Sequence, residues 1–339
     1  MKLHIAVYNV EWMMRLFDTQ GKLKTDNESL QRAEQLATVV RTIDADIIGI
    51  VEGPDTTVSG TKSAAAQLEL WASHFGLDNS YRGVQGFPSS GRQELCALYK
   101  SAVVKLSHKP TLDQNKHPFN QPFVADTNEA LVKELYEHYR PPLELSVKSA
   151  ADGEEVARMI VAHSKSKGIF DRVDFSRYEQ LSERNRKKLM AECMSIRERC
   201  DQWLESEAGR AVIVMGDIND GFGKDYYEQR FSRSAVEILL GDVWYPDKIL
   251  RSVIAEKPKL GKYGWTPSTS RYTDTMTNHK LNVLIDHILV SQQVQVLDTT
   301  VWNPYLDHKP QAKEEQVNAI KTELKAASDH FPVSVEVEL

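Results

Sequence analysis

Six short apolar runs in this 339-residue chain each end in a cluster of carboxylate, amide or imidazole groups. They read Val7-Tyr8-Asn9-Val10-Glu11, Ile48-Gly49-Ile50-Val51-Glu52, Ala162-His163-Ser164-Lys165-Ser166, Met215-Gly216-Asp217-Ile218-Asn219-Asp220, Leu284-Ile285-Asp286-His287 and Ser328-Asp329-His330-Phe331-Pro332. Apolar runs of this length read as strands, and strands whose polar ends recur in this way gather those ends along one edge of a β core. Such an edge suits a hard divalent cation and a general base acting on a phosphate ester.

Apolar residues make up 41% of the chain, enough for a sizeable core, and no segment has the composition of a disordered tract. The formal net charge of −6 argues against tight, nonspecific wrapping of DNA, which depends on basic surface. It leaves room for a metal-dependent nuclease, because the cation supplies positive potential inside the site. Cys96, Cys193 and Cys200 have no metal-ligand spacing and read as buried thiols. The first residues run straight into a strand, and no apolar run is long enough to span a bilayer, so a reduced, cytoplasmic protein is expected.

Along the chain, residues 3–10 alternate as a strand. Asp26 or Asn27 can cap a helix carrying Leu30, Ala33, Leu36, Val40 and Ile43 inward. Ile47–Val51 is continuous and apolar, the pattern of a strand covered on both faces. A helix with Leu68, Trp71 and Phe75 inward follows and stops at Gly76. Leu95–Tyr99 and Val103–Leu106 read as a hairpin, 107–128 as a long Pro-, Asn- and Gln-rich loop, and the residues before Arg140-Pro141-Pro142 as a short helix. Leu143–Val147 and Val156–Ala162 pair around Asp152-Gly153, and a helix spans about 177–207. Ala211–Met215, Val283–Val290, Val294–Val301 and Phe331–Val337 complete the strands. The expectation is one domain over 1–339, with a loop and helix insertion at about 107–140. Its core is two packed mixed β sheets flanked by helices, rather than a doubly wound parallel sheet.

In this order the six segments resemble the endonuclease/exonuclease/phosphatase superfamily, the deoxyribonuclease I-like proteins, and in particular its bacterial members. The resemblance runs from Asn9 to Pro332, and is strongest at Gly216–Asp220 and Ser328–Pro332. It implies an α/β four-layer sandwich and a phosphoester hydrolase using Mg²⁺ or Mn²⁺. Glu52 matches the principal metal ligand, with Asn9 beside it and Asp329 near the same ion. A hard cation prefers such oxygen donors to imidazole.

By the same resemblance Asp217 orients or deprotonates the attacking water and Asn219 helps hold the phosphate. On an extended segment their i, i+2 spacing would point both the same way. His330 matches the imidazole that contacts the phosphate, and Asp286 the carboxylate that fixes its tautomer and favours the imidazolium. His163 matches a second histidine, and Glu94 the acid that orients it in deoxyribonuclease I-like members. A solvated strand-start glutamate is the alternative for Glu94. Arg92 and Lys165 are candidate phosphate contacts, with a plain surface charge as the alternative. Asp220 reads as a turn residue and His287 as structural. Trp265 is either core or a stacking surface. The run Arg184-Asn185-Arg186-Lys187-Lys188 is a solvated face or a contact to a substrate backbone.

For substrate, the His163–Glu94 pair looks more like deoxyribonuclease-type members than abasic-site enzymes, which carry a tyrosine there, so nucleic acid leads. Ile285-Asp286-His287 departs from the Cys-Asp-Arg stretch of inositol-phosphate phosphatases. A lipid phosphodiesterase would need an apolar docking loop, for which Pro118–Phe123 is the candidate. A small-molecule phosphoester is a further alternative, and an inactive binding scaffold another. Oligomeric state is not legible.

Overall fold

The computed structural model describes residues 1–57, 62–77, 81–127, 132–169, 175–207, 209–229, 231, 233–254, 267–274, 278–305 and 313–339. The first half of the chain contributes β1 (Lys2–Asn9), α1 (Asn27–Ile43), β2 (Ile47–Gly53), α2 (Ala64–His74), β3 (Tyr81–Gln85), β4 (Glu94–Lys100), β5 (Val104–His108), β6 (Phe123–Ala125), β7 (Glu134–Tyr136), β8 (Leu143–Ser149) and β9 (Glu155–His163). The second half adds α3 (Tyr178–Ser206), β10 (Ala211–Asp217), α4 (Ala235–Leu240), β11 (Leu250–Ser252), β12 (Ser270–Thr273), β13 (Lys280–Val283), β14 (Asp286–Ser291), β15 (Gln295–Val301), α5 (Glu314–Ala319), α6 (Lys321–Ala327) and β16 (Val333–Glu338).

Two six-stranded mixed sheets form, in the orders β15-β16-β1-β2-β4-β3 and β11-β14-β10-β9-β8-β5. Each holds one parallel pair joined by a long helix: β1 and β2 through α1, β9 and β10 through α3. Alternate residues of the two sheets interlock, with Ile5, Val7, Ile47 and Val51 in one core with Met159, Val161, Ile213 and Met215. The outer face of the first sheet packs Tyr8, Ile48 and Ile50 with residues of α1, α2 and α6, including Leu36, Trp71 and Leu324. The outer face of the second packs Ile160, Val212 and Val214 with Leu189, Ile196 and Trp203 of α3 and Val236 of α4. The order helices, sheet, sheet, helices is the expected four-layer sandwich.

Local chemistry sets the helix ends. The Asp26 carboxylate accepts from the Ser29 N–H at 2.9 Å, and α1 closes with Asp44 in a left-handed conformation. Cys96, Cys193 and Cys200 are buried free thiols, as their apolar positions require. No helix among the described residues is long and apolar enough to cross a membrane.

Three local expectations are corrected. β4 and β5 do not form a hairpin: β4 already has β2 and β3 on its two edges, so the chain crosses to the second sheet and β5 pairs with β8. The residues before Arg140 form the hairpin β6–β7, not a helix. The run Val283–Val290 breaks at Leu284-Ile285, where the Ile285 and Asp286 N–H groups donate to Thr269 Oγ1 at 3.1 and 2.9 Å. That break starts β14 at Asp286.

Candidate active site

In each sheet the parallel strands end at the same edge, and their last residues are polar. Asn9 ends β1, Glu52 lies at the end of β2, His163 ends β9 and Asp217 ends β10. Within the second sheet His163, Asp217 and Asp286 stand in register across β9, β10 and β14, so their side chains share the face toward the first sheet. Gly216 permits this close approach: a Cβ there would lie 1.9 Å from the Ala162 carbonyl oxygen, and its φ is +154°.

Glu52 reaches the site by a different route. Val51 faces the inner core, so simple alternation would send Glu52 outward. The register breaks between Ile50 and Gly53, and Glu52 is left-handed at φ 59°. This bulge brings the Glu52 carboxylate within 3.5 Å of Asn9 Nδ2, while its other oxygen accepts from Trp12 N–H at 3.0 Å and Gln93 Nε2 at 2.7 Å. Glu11, Trp12 and Asn219 are also left-handed. Non-glycine residues held there cost about 1–3 kcal/mol each, and four of the eight among the described residues lie at this edge.

Asn9 bridges the sheets, donating from Nδ2 to Asp217 Oδ2 at 3.0 Å, while its Oδ1 accepts from the Glu11 N–H at 3.0 Å. Its amide thus turns N–H groups, not oxygen, toward the carboxylates. Asp217 Oδ1 caps the Asn219 N–H at 2.9 Å, and Asn219 Nδ2 donates to the Ser164 carbonyl at 3.1 Å. The segment is therefore a tight turn rather than the extended stretch that the i, i+2 spacing implied.

His330 Nδ1 lies 2.9 Å from Asp286 Oδ2, and Nε2 lies 3.8 Å from both Asp217 Oδ2 and Asp329 Oδ1. Burial alone would lower the pKa of His330, but Asp286, Asp217 and Asp329 outweigh it and push the imidazole up to about 10. Burial raises the Asp217 carboxyl; Asp286 and Glu52 add to the rise and His330 opposes it. A buried carboxylate with raised proton affinity is a stronger base than an exposed one.

His163 is not paired with Glu94. Leu95 and Ala97 face the inner core, so Glu94 points to the other face of its strand, where it accepts from Thr56 and Ser89 N–H groups at 3.3 and 2.8 Å. The neighbouring Gln93 has the inward parity and reaches Glu52 instead. Arg140 takes the place beside His163: NH2 approaches His163 Nε2 at 3.1 Å, and NH1 donates to Gln93 Oε1 at 2.9 Å. Guanidinium only donates, so Nε2 accepts and the ring proton sits on Nδ1. Burial, then Arg140 and His330, hold His163 well below its usual pKa, so it is neutral.

The remaining candidates divide. Arg92 is exposed, and Lys165 is half-buried with its Nζ on the Ser166 carbonyl and its N–H on Glu192. Asp220 is a buried turn residue capping Gly221 and Ala235, and His287 Nε2 donates to the Asp220 carbonyl at 2.8 Å, away from the site. In the basic run, Arg186 is spent on Asp225 at 2.7 Å, Lys187 on Glu183 at 3.1 Å and Asn185 on the Gly168 carbonyl at 3.0 Å, so it is largely structural. Phe119 and Phe123 are buried, so Pro118–Phe123 is not an apolar docking loop. Trp265 lies outside the described residues. Arg140, Gln93 and Glu11 are the groups that the sequence reading missed. The Glu11 carboxylate lies beside Asp329, accepting its N–H at 3.3 Å, and burial followed by Asp329 raises its pKa.

The donor set fits a hard divalent cation. Glu11, Glu52, Asp217, Asp286 and Asp329 crowd one edge, Asp286 Oδ1 is buried without a partner, and Asp217 and Asp286 each offer an oxygen within 4.8 Å of the other. Oxygen donors of this kind select Mg²⁺, Mn²⁺ or Ca²⁺ over softer ions.

Residues 201–330, which carry Asp217, Asn219, Asp286 and His330, match the model of the Endonuclease/Exonuclease/phosphatase family. The match likens this part of the chain, 130 of its 339 residues, to that family. Solved structures share the fold end to end. A humanized D. rerio TDP2 is 14% identical, with a TM-score of 0.51 over 100% of this chain and 99% of that one. An endonuclease/exonuclease/phosphatase protein from Bacteroides vulgatus is 14% identical, with a TM-score of 0.50 over 100% and 99%. D. rerio TDP2 complexed with a single-strand DNA product is 12% identical, with a TM-score of 0.50 over 100% and 99%. No curated protein matches the sequence. The family match over residues 201–330 supports phosphoester hydrolysis, and the acidic cluster could hold a metal.

Proposed function

We propose that the chain is a single hydrolase domain that cleaves phosphodiesters of nucleic acid by in-line attack of water. The observation that carries this reading is the convergence of Asp217, His330–Asp286 and His163–Arg140 on one edge beside Glu52. Asp217 is the base: it is buried, its proton affinity is raised, and Asn9 and the Asn219 N–H orient its two oxygens. His330, held by Asp286, presents Nε2 where phosphate charge develops. Arg140 and His163 supply a buried cation and a fixed imidazole on the other flank, and Asn219 closes the rim. Glu52 would hold Mg²⁺ or Mn²⁺, with Asp329 near it and Asn9 orienting Glu52. The ion would neutralise charge on the phosphate and its leaving oxygen.

Nucleic acid is favoured because a relative of the same fold, D. rerio TDP2, is seen with a single-strand DNA product. The lipid reading rests on one other observation. Val124 and Leu135 of the β6–β7 hairpin are 51% and 72% exposed and make a small apolar face. The scaffold reading requires a missing catalytic group, and of the matched positions only Glu94 departs from its expected place, where Arg140 stands beside His163 instead.

Cleavage of a supercoiled plasmid with Mg²⁺ or Mn²⁺ tests the proposal. Metal-dependent nicking is expected, abolished by EDTA and reduced on the order of 10²-fold or more in Asp217→Asn. Folded protein that fails to nick, while hydrolysing a glycerophosphodiester lipid, would overturn the nucleic-acid reading and leave the hydrolase chemistry.

A further inference from the structure

Three segments far apart in sequence meet beside Asp329 and His330. Arg271 on β12 donates its backbone N–H to the Asp329 carbonyl at 2.8 Å, and its neighbour Ser270 forms a β-bridge with His330. The Tyr305 ring packs on Phe331, with ring centres 5.8 Å apart. Lys325 comes from α6, which ends at Ala327 just before this segment. The Arg271 guanidinium lies over the Tyr305 ring at 4.0 Å from its centre, and the Lys325 ammonium at 4.4 Å.

Two cations on one ring repel each other. Among the described residues neither forms an ion pair, and the ring face offsets only about 0.5–1 kcal/mol per exposed cation. In a chain of net charge −6 the pair is not part of a general excess of basic residues. It is also placed where charge is useful: Arg271 and Tyr305 are backed directly on the residues flanking His330. A second anion bound there would lie beside the phosphate under attack.

We propose that Arg271, Tyr305 and Lys325 form a subsite for a phosphate neighbouring the scissile one, which selects phosphodiester chains over isolated phosphoesters. The inference rests on the phosphodiesterase reading above and names what distinguishes its substrate. The guanidinium provides a planar fork for phosphate oxygens and the ammonium a second point charge, while the tyrosine holds both without neutralising either. The contact is with the sugar–phosphate backbone and carries no base preference.

The test compares wild type with the double variant Arg271→Gln/Lys325→Gln on two substrates, a single-stranded oligonucleotide and bis(4-nitrophenyl) phosphate. For the oligonucleotide, kcat/KM should fall on the order of 10-fold or more, and the slope of log affinity against log salt should flatten by about 0.7, the value for one lost phosphate contact on a single strand. For the small diester, kcat/KM should stay within about twofold. Equal losses on both substrates, or no loss on either, would overturn the subsite. Anisotropy of a fluorescent oligonucleotide separates this failure from that of the hydrolase reading. If wild type cleaves neither substrate, the hydrolase reading has failed, while weaker oligonucleotide binding by the double variant still upholds the subsite. Unchanged binding refutes it.

Discussion

At the scale of single residues, the site is a set of charges that satisfy one another. Asp286 turns His330 into a cation, Asn9 spans Glu52 and Asp217, and Arg140 ties Gln93 to His163. Arg140 is the member least visible in sequence, since Arg-Pro-Pro reads only as an element boundary. Its two-pronged contact cannot be copied by an ammonium, which has no planar fork. Arg140→Lys should therefore keep the fold by circular dichroism, yet lower kcat/KM about 10- to 100-fold on any phosphodiester. An unchanged rate would remove Arg140 from the catalytic machinery. The Glu94 expectation failed for a simple geometric reason. Gln93 and Glu94 are adjacent, the strand that follows is apolar on both faces, and such a run does not reveal which parity points inward.

At the scale of elements, two strand–helix–strand units each deliver their polar residues to the same edge. The junction of β9 and β10 is the tightest point, because Gly216 lies against the Ala162 carbonyl. A methyl group there meets backbone rather than a flexible side chain, so the strands must part next to Asp217. Gly216→Ala should cost on the order of 3 kcal/mol from overpacking and backbone strain, read as a lower midpoint in urea unfolding. Its residual activity should fall further than stability alone explains, because Asp217 and His163 are displaced together. A fully stable, fully active Gly216→Ala protein would contradict this picture of the strand pair. The bulge at Glu52 is the matching device in the other sheet. It reverses the outward direction that alternation would give, which explains why periodicity alone did not place this carboxylate.

At the scale of the whole molecule, the 107–140 segment is tied into the body rather than draped over it. His138 stacks on Phe123 with ring centres 4.9 Å apart, approaches Ser195 Oγ at 3.2 Å, and is buried with its pKa pushed down to about 3, chiefly by burial. The sign follows from linkage. Between about pH 3 and 6.5 the unfolded chain binds this proton and the folded chain does not, so stability falls as pH drops through that window. Thermal melting followed from pH 7 to pH 4 should show a shallower decline in His138→Gln than in wild type, each referred to its own value at pH 7. Parallel declines would show that this histidine does not couple folding to pH. The sequence by itself determined the strand–helix order, the two-sheet sandwich, the buried thiols and the identities of Asn9, Glu52, His163, Asp217, Asn219, Asp286, Asp329 and His330 as groups to be gathered. These follow from periodicity, from capping and from polar residues recurring at strand ends, all of which are local properties of the chain. Tertiary structure alone decided that Gln93 rather than Glu94 enters the site, that Arg140 accompanies His163, and that Arg271, Tyr305 and Lys325 meet beside His330. Those outcomes depend on strand parity, on which sheet edges were already occupied, and on contacts between residues far apart in sequence, such as Arg271 with Asp329 and Ser270 with His330.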